Sequence, residues 1–154
     1  MEIDNQVRLH IPEGWEAQTG DFPGLGVFVA TLVPEGTEPD ALMPGRDRVD
    51  FAHLTLKNIG VTNGAEAYVD AQQERDSSNS DYYSDIAGLD PVEIDGKTFF
   101  GYEGTLSSNG RVGPIQYWYG EAGSDTYKFE IYGETDSDIP QELIDAMRAV
   151  EFLD

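Results

Sequence analysis

The chain contains no cysteine. Its absence removes thiol nucleophiles, disulfide staples and thiolate metal sites together, and leaves the redox compartment open. Basic residues are nearly as scarce, with 9 Lys and Arg against 30 Asp and Glu in 154 residues and a formal net charge of -21. Binding to nucleic acid or to an anionic membrane surface draws on counterion release from a basic footprint. Without that footprint both partner classes are set aside. No apolar stretch approaches the roughly 20 residues that span a bilayer, so no membrane insertion is expected and the chain reads as soluble. The opening Met1-Glu2-Ile3-Asp4-Asn5-Gln6 shows no basic region, no apolar run of signal-peptide length and no lipidation cysteine. As written, the chain is expected to be cytoplasmic; a leader trimmed beforehand would make it secreted or lipid-anchored.

What is present is enough for a core. Hydrophobic residues make up 39% and aromatics 11%, which argues against disorder despite the charge. A chain of this length buries roughly 70% of its unfolded surface. With no internal repeat and no linker-like break, residues 1–154 read as one domain.

Alternation marks Val7 to Ile11 as a strand, and the β-branched run Val27 to Val33 as another. Pro34 to Arg48, with Pro34, Pro39 and Pro44 among four acids, reads as one long surface loop. Gly20, Gly24 and Gly26 read as a looping approach to the second strand. Val49 to Asn58 alternates again, with Ala52, Leu54 and Leu56 on one face and Phe51, His53 and Thr55 on the other. Asn63 followed by Glu66 matches a capping box before a weakly amphipathic helix that reaches about Asp76. A second helix places Asp138 as cap, Pro140 in the first turn, and Ile139, Leu143, Ile144, Met147 and Val150 in one apolar stripe. Between the helices Ser77 to Asp81 is a polar turn and Tyr82 to Leu89 a short extended segment.

Lys97 to Gly133 allows register to be worked out. Asn109-Gly110 is a strong two-residue hairpin signal, and centring the turn there pairs Phe100 with Tyr119, Tyr102 with Tyr117 and Gly104 with Ile115. The next connection admits two readings. A three-residue loop over Ala122, Gly123 and Ser124 sets Tyr119, Tyr117 and Ile115 against Tyr127, Phe129 and Ile131. A two-residue loop sets the tyrosines against Lys128 and Glu130. Matching apolar residues on one face favours the three-residue loop. The expected result is a meander with one aromatic core face. Its other face then carries Phe99, Glu103, Gln116, Trp118, Lys128 and Glu130.

Several short patterns, taken in order, resemble the Mog/PsbP-like superfamily, and within it the bacterial LpqN-type and DcrB-type proteins. They are Ile11-Pro12-Glu13-Gly14-Trp15 after the first strand, Val92-Glu93-Ile94-Asp95-Gly96-Lys97 before an aromatic strand, Gln116, Tyr127-Lys128-Phe129, and a closing helix running into Val150-Glu151-Phe152. The resemblance covers about Val7 to Phe152. It implies an α+β fold, a twisted and mainly antiparallel sheet with helices packed on its faces. It implies little about function, because relatives include a Ran-binding protein, extrinsic photosystem subunits and bacterial lipoproteins, and no catalytic set carries over. LpqN-type proteins usually carry a lipoprotein leader with its cysteine, and the sequence as written has neither.

Chemistry-bearing motifs are sparse. There is no Cys and no G-x-S-x-G elbow, and His10 and His53 sit at alternating strand positions where a sheet residue is the simpler reading. The run Asp76 to Asp81 does not fit a calcium loop, which needs Gly at position six and Glu at position twelve where this chain has Asp81 and Ala87. Asp136-Ser137-Asp138 reads as a helix cap. The glycines near position 24 lack dinucleotide-binding spacing. No metal, cofactor or catalytic residue is therefore assigned. Trp118, placed across from Gly101 and beside Lys128, is either simple packing under a covering helix or a partner contact. If uncovered, Trp118 with Lys128, Glu103, Glu130 and Gln116 is the candidate partner surface. The functional expectation is a non-catalytic protein-binding or accessory module, linked through the resemblance to secretion or envelope processes. Any protein partner is expected to present a basic surface, although the charge can equally serve only to keep the chain soluble and monomeric. The alternative is a small carboxylate-dependent hydrolase.

Overall fold

Apolar and aromatic residues recur on both sides of the central strands, and this double pattern decides the architecture. The computed structural model describes residues 1–3, 5–22, 27–37, 51–108 and 111–153. Its elements in chain order are β1 (Glu2–Ile3), β2 (Val7–Arg8), β3 (Trp15–Phe22), β4 (Val27–Pro34), β5 (His53–Gly60), α1 (Ala65–Ser78), β6 (Tyr83–Ile94), β7 (Lys97–Ser108), β8 (Arg111–Ala122), β9 (Asp125–Tyr132), α2 (Gln141–Arg148) and β10 (Glu151–Phe152). A 7-stranded sheet has the order β3-β4-β5-β9-β8-β7-β6, every neighbouring pair antiparallel, and a small 3-stranded sheet joins β1, β2 and β10. This is an α+β architecture, as expected.

Each face of the large sheet has its own core. On one, Leu54 and Leu56 of β5, Phe129 and Ile131 of β9, Trp118 of β8 and Phe99 of β7 pack with Leu143, Ala146 and Met147 of α2. The Leu143, Met147 and Val150 stripe is buried as expected, each large side chain contributing about 1.5–3 kcal/mol of burial. On the other face, Tyr102 and Leu106 of β7, Ile115, Tyr117 and Tyr119 of β8 and Tyr132 of β9 pack under Ala65 and Val69 of α1.

The β7–β8 register is the expected one, pairing Phe100 with Tyr119, Tyr102 with Tyr117 and Gly104 with Ile115. The turn residues Asn109 and Gly110 lie outside the described residues, as do residues 38–48 of the expected long loop, Gly24 and Gly26. The β8–β9 register is not the expected one. The strands turn through Gly123 and Ser124 alone, with Ala122 opposite Asp125, so Tyr119 faces Lys128, Tyr117 faces Glu130 and Trp118 faces Phe129. Tyr117 and Phe129 therefore lie on opposite faces. Maximising apolar pairs on one face misleads here because both faces are covered, each by its own helix.

Four further expectations change. Gly20 lies inside strand β3 rather than in a loop. The capping box does not form: the residue before α1 is Gly64, at φ 110, with no side-chain cap bond. At α2 the capping position belongs to Pro140, not Asp138. The extended segment after α1 is longer than expected, reaching Ile94.

Candidate functional site

The register places charge where the sequence suggested aromatic packing. Lys128 and Glu130 alternate with Phe129 along β9 and so point to the α1 side of the sheet, among the tyrosines. Lys57 of β5 sits directly opposite Lys128 in the ladder. Two like charges facing each other across a strand pair are destabilising unless an anion lies between them, and Glu130 supplies it. Lys57 Nζ donates to Glu130 Oε1 at 2.5 Å, and Lys128 Nζ lies 3.4 Å from the same oxygen. The other oxygen, Oε2, accepts from the Tyr132 hydroxyl at 2.8 Å. Lys128 also stacks over the rings of Tyr117 and Tyr119, 4.6 and 5.2 Å from their centroids.

Only 5% of the Glu130 side chain is exposed. Burial opposes its ionisation, but Lys128 and Lys57, with the hydrogen bonds from Lys57 and Tyr132, outweigh burial and hold the carboxyl down to about 2. The Tyr117 hydroxyl is pushed well above the ordinary tyrosine value by burial first, then by Tyr132, Tyr83 and Glu130. Tyr83 is raised for the same leading reason.

These hydroxyls form a directed chain. Tyr83 and Tyr117 are 3.1 Å apart, as are Tyr117 and Tyr132. A phenol has one proton to give. Tyr132 gives its proton to the Glu130 carboxylate, so it accepts from Tyr117, and Tyr117 having given its own must accept from Tyr83. The order is Tyr83 to Tyr117 to Tyr132 to Glu130, and the Tyr83 oxygen is left able only to accept.

The cluster floors a cavity of about 400 Å³, with Lys57, Leu106, Tyr117, Lys128, Glu130 and Tyr132 inside and Arg75, Asn79, Tyr82 and Tyr83 around the C-terminal end of α1. Behind it, buried Asp76 accepts from Tyr102 at 2.6 Å and lies 3.5 Å from Arg75 Nε, so the first acid of the Asp76 to Asp81 run ties α1 to the sheet. At the other end of α1 a hollow of about 630 Å³ is lined by Glu66 and Asp70 of the helix, Glu121 of β8, and Thr98 and half-buried Phe100 of β7. The N-terminal end of α1 thus carries acids, as the helix dipole favours, while at its C-terminal end Arg75, between Glu74 and Asp76, meets Lys57 and Lys128 of the sheet across the cavity.

The five residues of the candidate partner surface are divided between the two faces. Trp118 is 5% exposed and packs in the α2-side core, where a Cβ on Gly101 would stand 2.4 Å from its ring. Its indole N–H donates to Gln116 Oε1 at 3.1 Å, and Gln116 pairs across the strands with exposed Glu103. Lys128 and Glu130 are on the opposite face. Trp118 is therefore covered, because α2 and the Phe99–Phe129 layer occupy its side of the sheet. Lys57 and Arg75 were not singled out from sequence; the available signal was the two-residue loop, which places Lys128 and Glu130 among the tyrosines, while Lys57 joins them only through the β5–β9 pairing. His53 is buried in β5 and stacked on Tyr132 at 4.6 Å. His10 is exposed beyond β2, 3.2 Å from Glu151.

Among the described residues no group of three or more His, Cys, Asp or Glu side chains is placed to hold a metal ion, and no helix is long and apolar enough to cross a membrane. A scan against protein families finds no match, and a search of curated proteins finds none. Comparison of folds does find matches. Cyanobacterial PsbP (CyanoP) from Synechocystis sp. PCC 6803 superposes with a TM-score of 0.58 at 11% identity, over 98% of this chain and 89% of that one. LpqN, involved in cell envelope biogenesis of Mycobacterium tuberculosis, superposes with a TM-score of 0.50 at 10% identity, over 96% of this chain and 83% of that one. Identities that low bear on architecture alone, and the architecture agrees with the ordered patterns from Val7 to Phe152: this chain has the PsbP-like, LpqN-like α+β fold.

Proposed function

We propose that the protein is a non-catalytic binding module, and that it holds a basic segment of a protein partner in the acidic hollow at the N-terminal end of α1. The observation that carries this reading is the combination of Glu66, Asp70 and Glu121 around the half-buried ring of Phe100. A Lys or Arg side chain lays its aliphatic stem and its charge on an aromatic face and finishes against carboxylates, so one such side chain uses every feature of the hollow. The net charge of -21 steers a basic partner toward the molecule from most directions. The likeness to LpqN supports a place in secretion or envelope processes.

A carboxylate-dependent hydrolase draws on two carboxyls whose pKa values are pushed apart, one kept protonated as the acid. Glu130, one of the two buried carboxyls among the described residues, is instead held ionised down to about 2 between two lysines, which suits a structural charge and not an acid catalyst. The test is binding of a fluorescent Lys-rich octapeptide followed by anisotropy. Affinity is expected to fall about tenfold between 0.01 and 0.15 M salt. It should fall at least about fivefold in Asp70→Asn/Glu121→Gln, but not in the distant Glu134→Gln/Asp136→Asn. Equal losses in the two double variants would reject the hollow. Turnover of chromogenic glycosides that disappears in Glu66→Gln would restore the hydrolase reading.

A further inference from the structure

Lys57, Lys97 and Lys128 are the only lysines of the chain, and two of them line one cavity at the C-terminal end of α1, with Arg75 at its mouth. The Arg75 side chain is 67% exposed, Lys57 30% and Lys128 18%. Against these three bases stand two carboxylates, Glu130 between the lysines and Asp76 behind Arg75. One positive charge is left over, in a protein whose remaining surface is strongly negative. An ammonium has three protons to donate; Lys57 uses one on Glu130, and its partial exposure turns the rest to the cavity. The Tyr83 oxygen, having given its proton inward along the tyrosine chain, meets the cavity as an acceptor only. Tyr82 and Leu106 supply the apolar wall.

We propose that this cavity binds a small organic monoanion of the hydroxy-carboxylate class. The carboxylate sits between Lys57 and Arg75, the hydroxyl donates to the Tyr83 oxygen, and the body of the molecule packs on Tyr82 and Leu106. Its single charge matches the single uncompensated base. Ligands of higher charge are disfavoured by the surrounding acids, since the surplus is only one. The volume, about 400 Å³, lies in the range of pockets that enclose small molecules. This site is separate from the acidic hollow and stands or falls independently of it.

The probe is 4-hydroxybenzoate, titrated into the full chain by calorimetry and by amide chemical shifts. Benzoate lacks the donor and 4-hydroxybenzyl alcohol lacks the charge. Saturable binding with a dissociation constant of about 1 mM or tighter is expected, several-fold weaker for benzoate and undetectable for the alcohol. Arg75→Gln and Lys57→Met should each weaken binding at least about tenfold, as loss of a charge-assisted contact does. Tyr83→Phe should remove the preference for 4-hydroxybenzoate over benzoate. Arg75 projects to solvent, so its variant remains informative if Lys57→Met fails to fold. The proposal is overturned by no saturation up to about 10 mM, by equal binding of the alcohol, or by unchanged affinity in Arg75→Gln.

Discussion

Glu130→Gln keeps the shape of the side chain and one acceptor oxygen, removes the charge that Lys57 and Lys128 share, and replaces the second acceptor oxygen with an NH2 donor. Its effect can be worked from the structure. The carboxyl moves from its ordinary value of 4.5 to about 2 on folding, and each pKa unit corresponds to about 1.4 kcal/mol. The folded value is the depressed one, so ionised Glu130 stabilises the fold fully above the unfolded value and the contribution is lost as pH falls through the folded value. The contribution is about 3 kcal/mol at pH 7, near the lower end of what breaking a buried ion pair costs. The assay is urea denaturation of the wild type and Glu130→Gln at pH 7 and pH 3. The other 29 acids titrate in both proteins, so the difference between the two isolates this group. The variant should be less stable by about 3 kcal/mol at pH 7, and the gap should narrow by about 2 kcal/mol at pH 3. A gap that stays constant or widens on acidification would refute the enclosed, lysine-clamped state of Glu130.

Further outcomes follow from packing and charge. Gly101→Ala builds a Cβ 2.4 Å from the Trp118 ring and 2.7 Å from the Tyr117 carbonyl oxygen, so its melting temperature should fall with a loss of about 1–3 kcal/mol. Trp118→Ala empties a site in the α2-side core and should cost about 3–5 kcal/mol, whereas a variant that melts like the wild type would contradict the burial of Trp118. Melting temperature should rise between 0.01 and 0.15 M salt, as the Debye length shrinks from about 30 to 8 Å; a flat or falling curve would mean that the acids are spaced or paired well enough to cancel their repulsion.

What could be read from the sequence depended on how strongly local chemistry constrained each segment. Asn109-Gly110 set the β7–β8 register correctly because a two-residue turn of that type leaves one pairing open, and the ladder from Phe99 to Ser108 follows it. The next hairpin failed because its two loop lengths differed by one residue, and the decision rested on assuming one covered face. With α1 on one side and α2 on the other, Phe129 and Ile131 had a core of their own, and Lys128 and Glu130 found each other, Lys57 and Tyr132. The hydrophobic stripe of α2 was legible, but its start was not, because Pro140 takes the position that Asp138 was expected to fill. Strand β6 hid its length. Register shifts between Ser84 and Ala87 and between Leu89 and Val92 leave Tyr83, Ile86, Leu89 and Val92 as its partly buried positions, a spacing of three rather than two. Of the site, Lys128 and Glu130 were visible as charges but assigned to the wrong face, and Lys57 and Arg75 emerge only once the sheet order brings β5 beside β9 and lays α1 over the tyrosines.

The most direct test of the binding-module account is a two-dimensional amide spectrum of the labelled chain titrated with the Lys-rich octapeptide at low salt. The account predicts saturable shifts at Gly64, Glu66, Asp70, Phe100 and Glu121, around the acidic hollow, with the amides of Trp118, Leu143 and Met147 in the opposite core unmoved. Shifts scattered over every acidic loop, or centred on the α2 face, would contradict it.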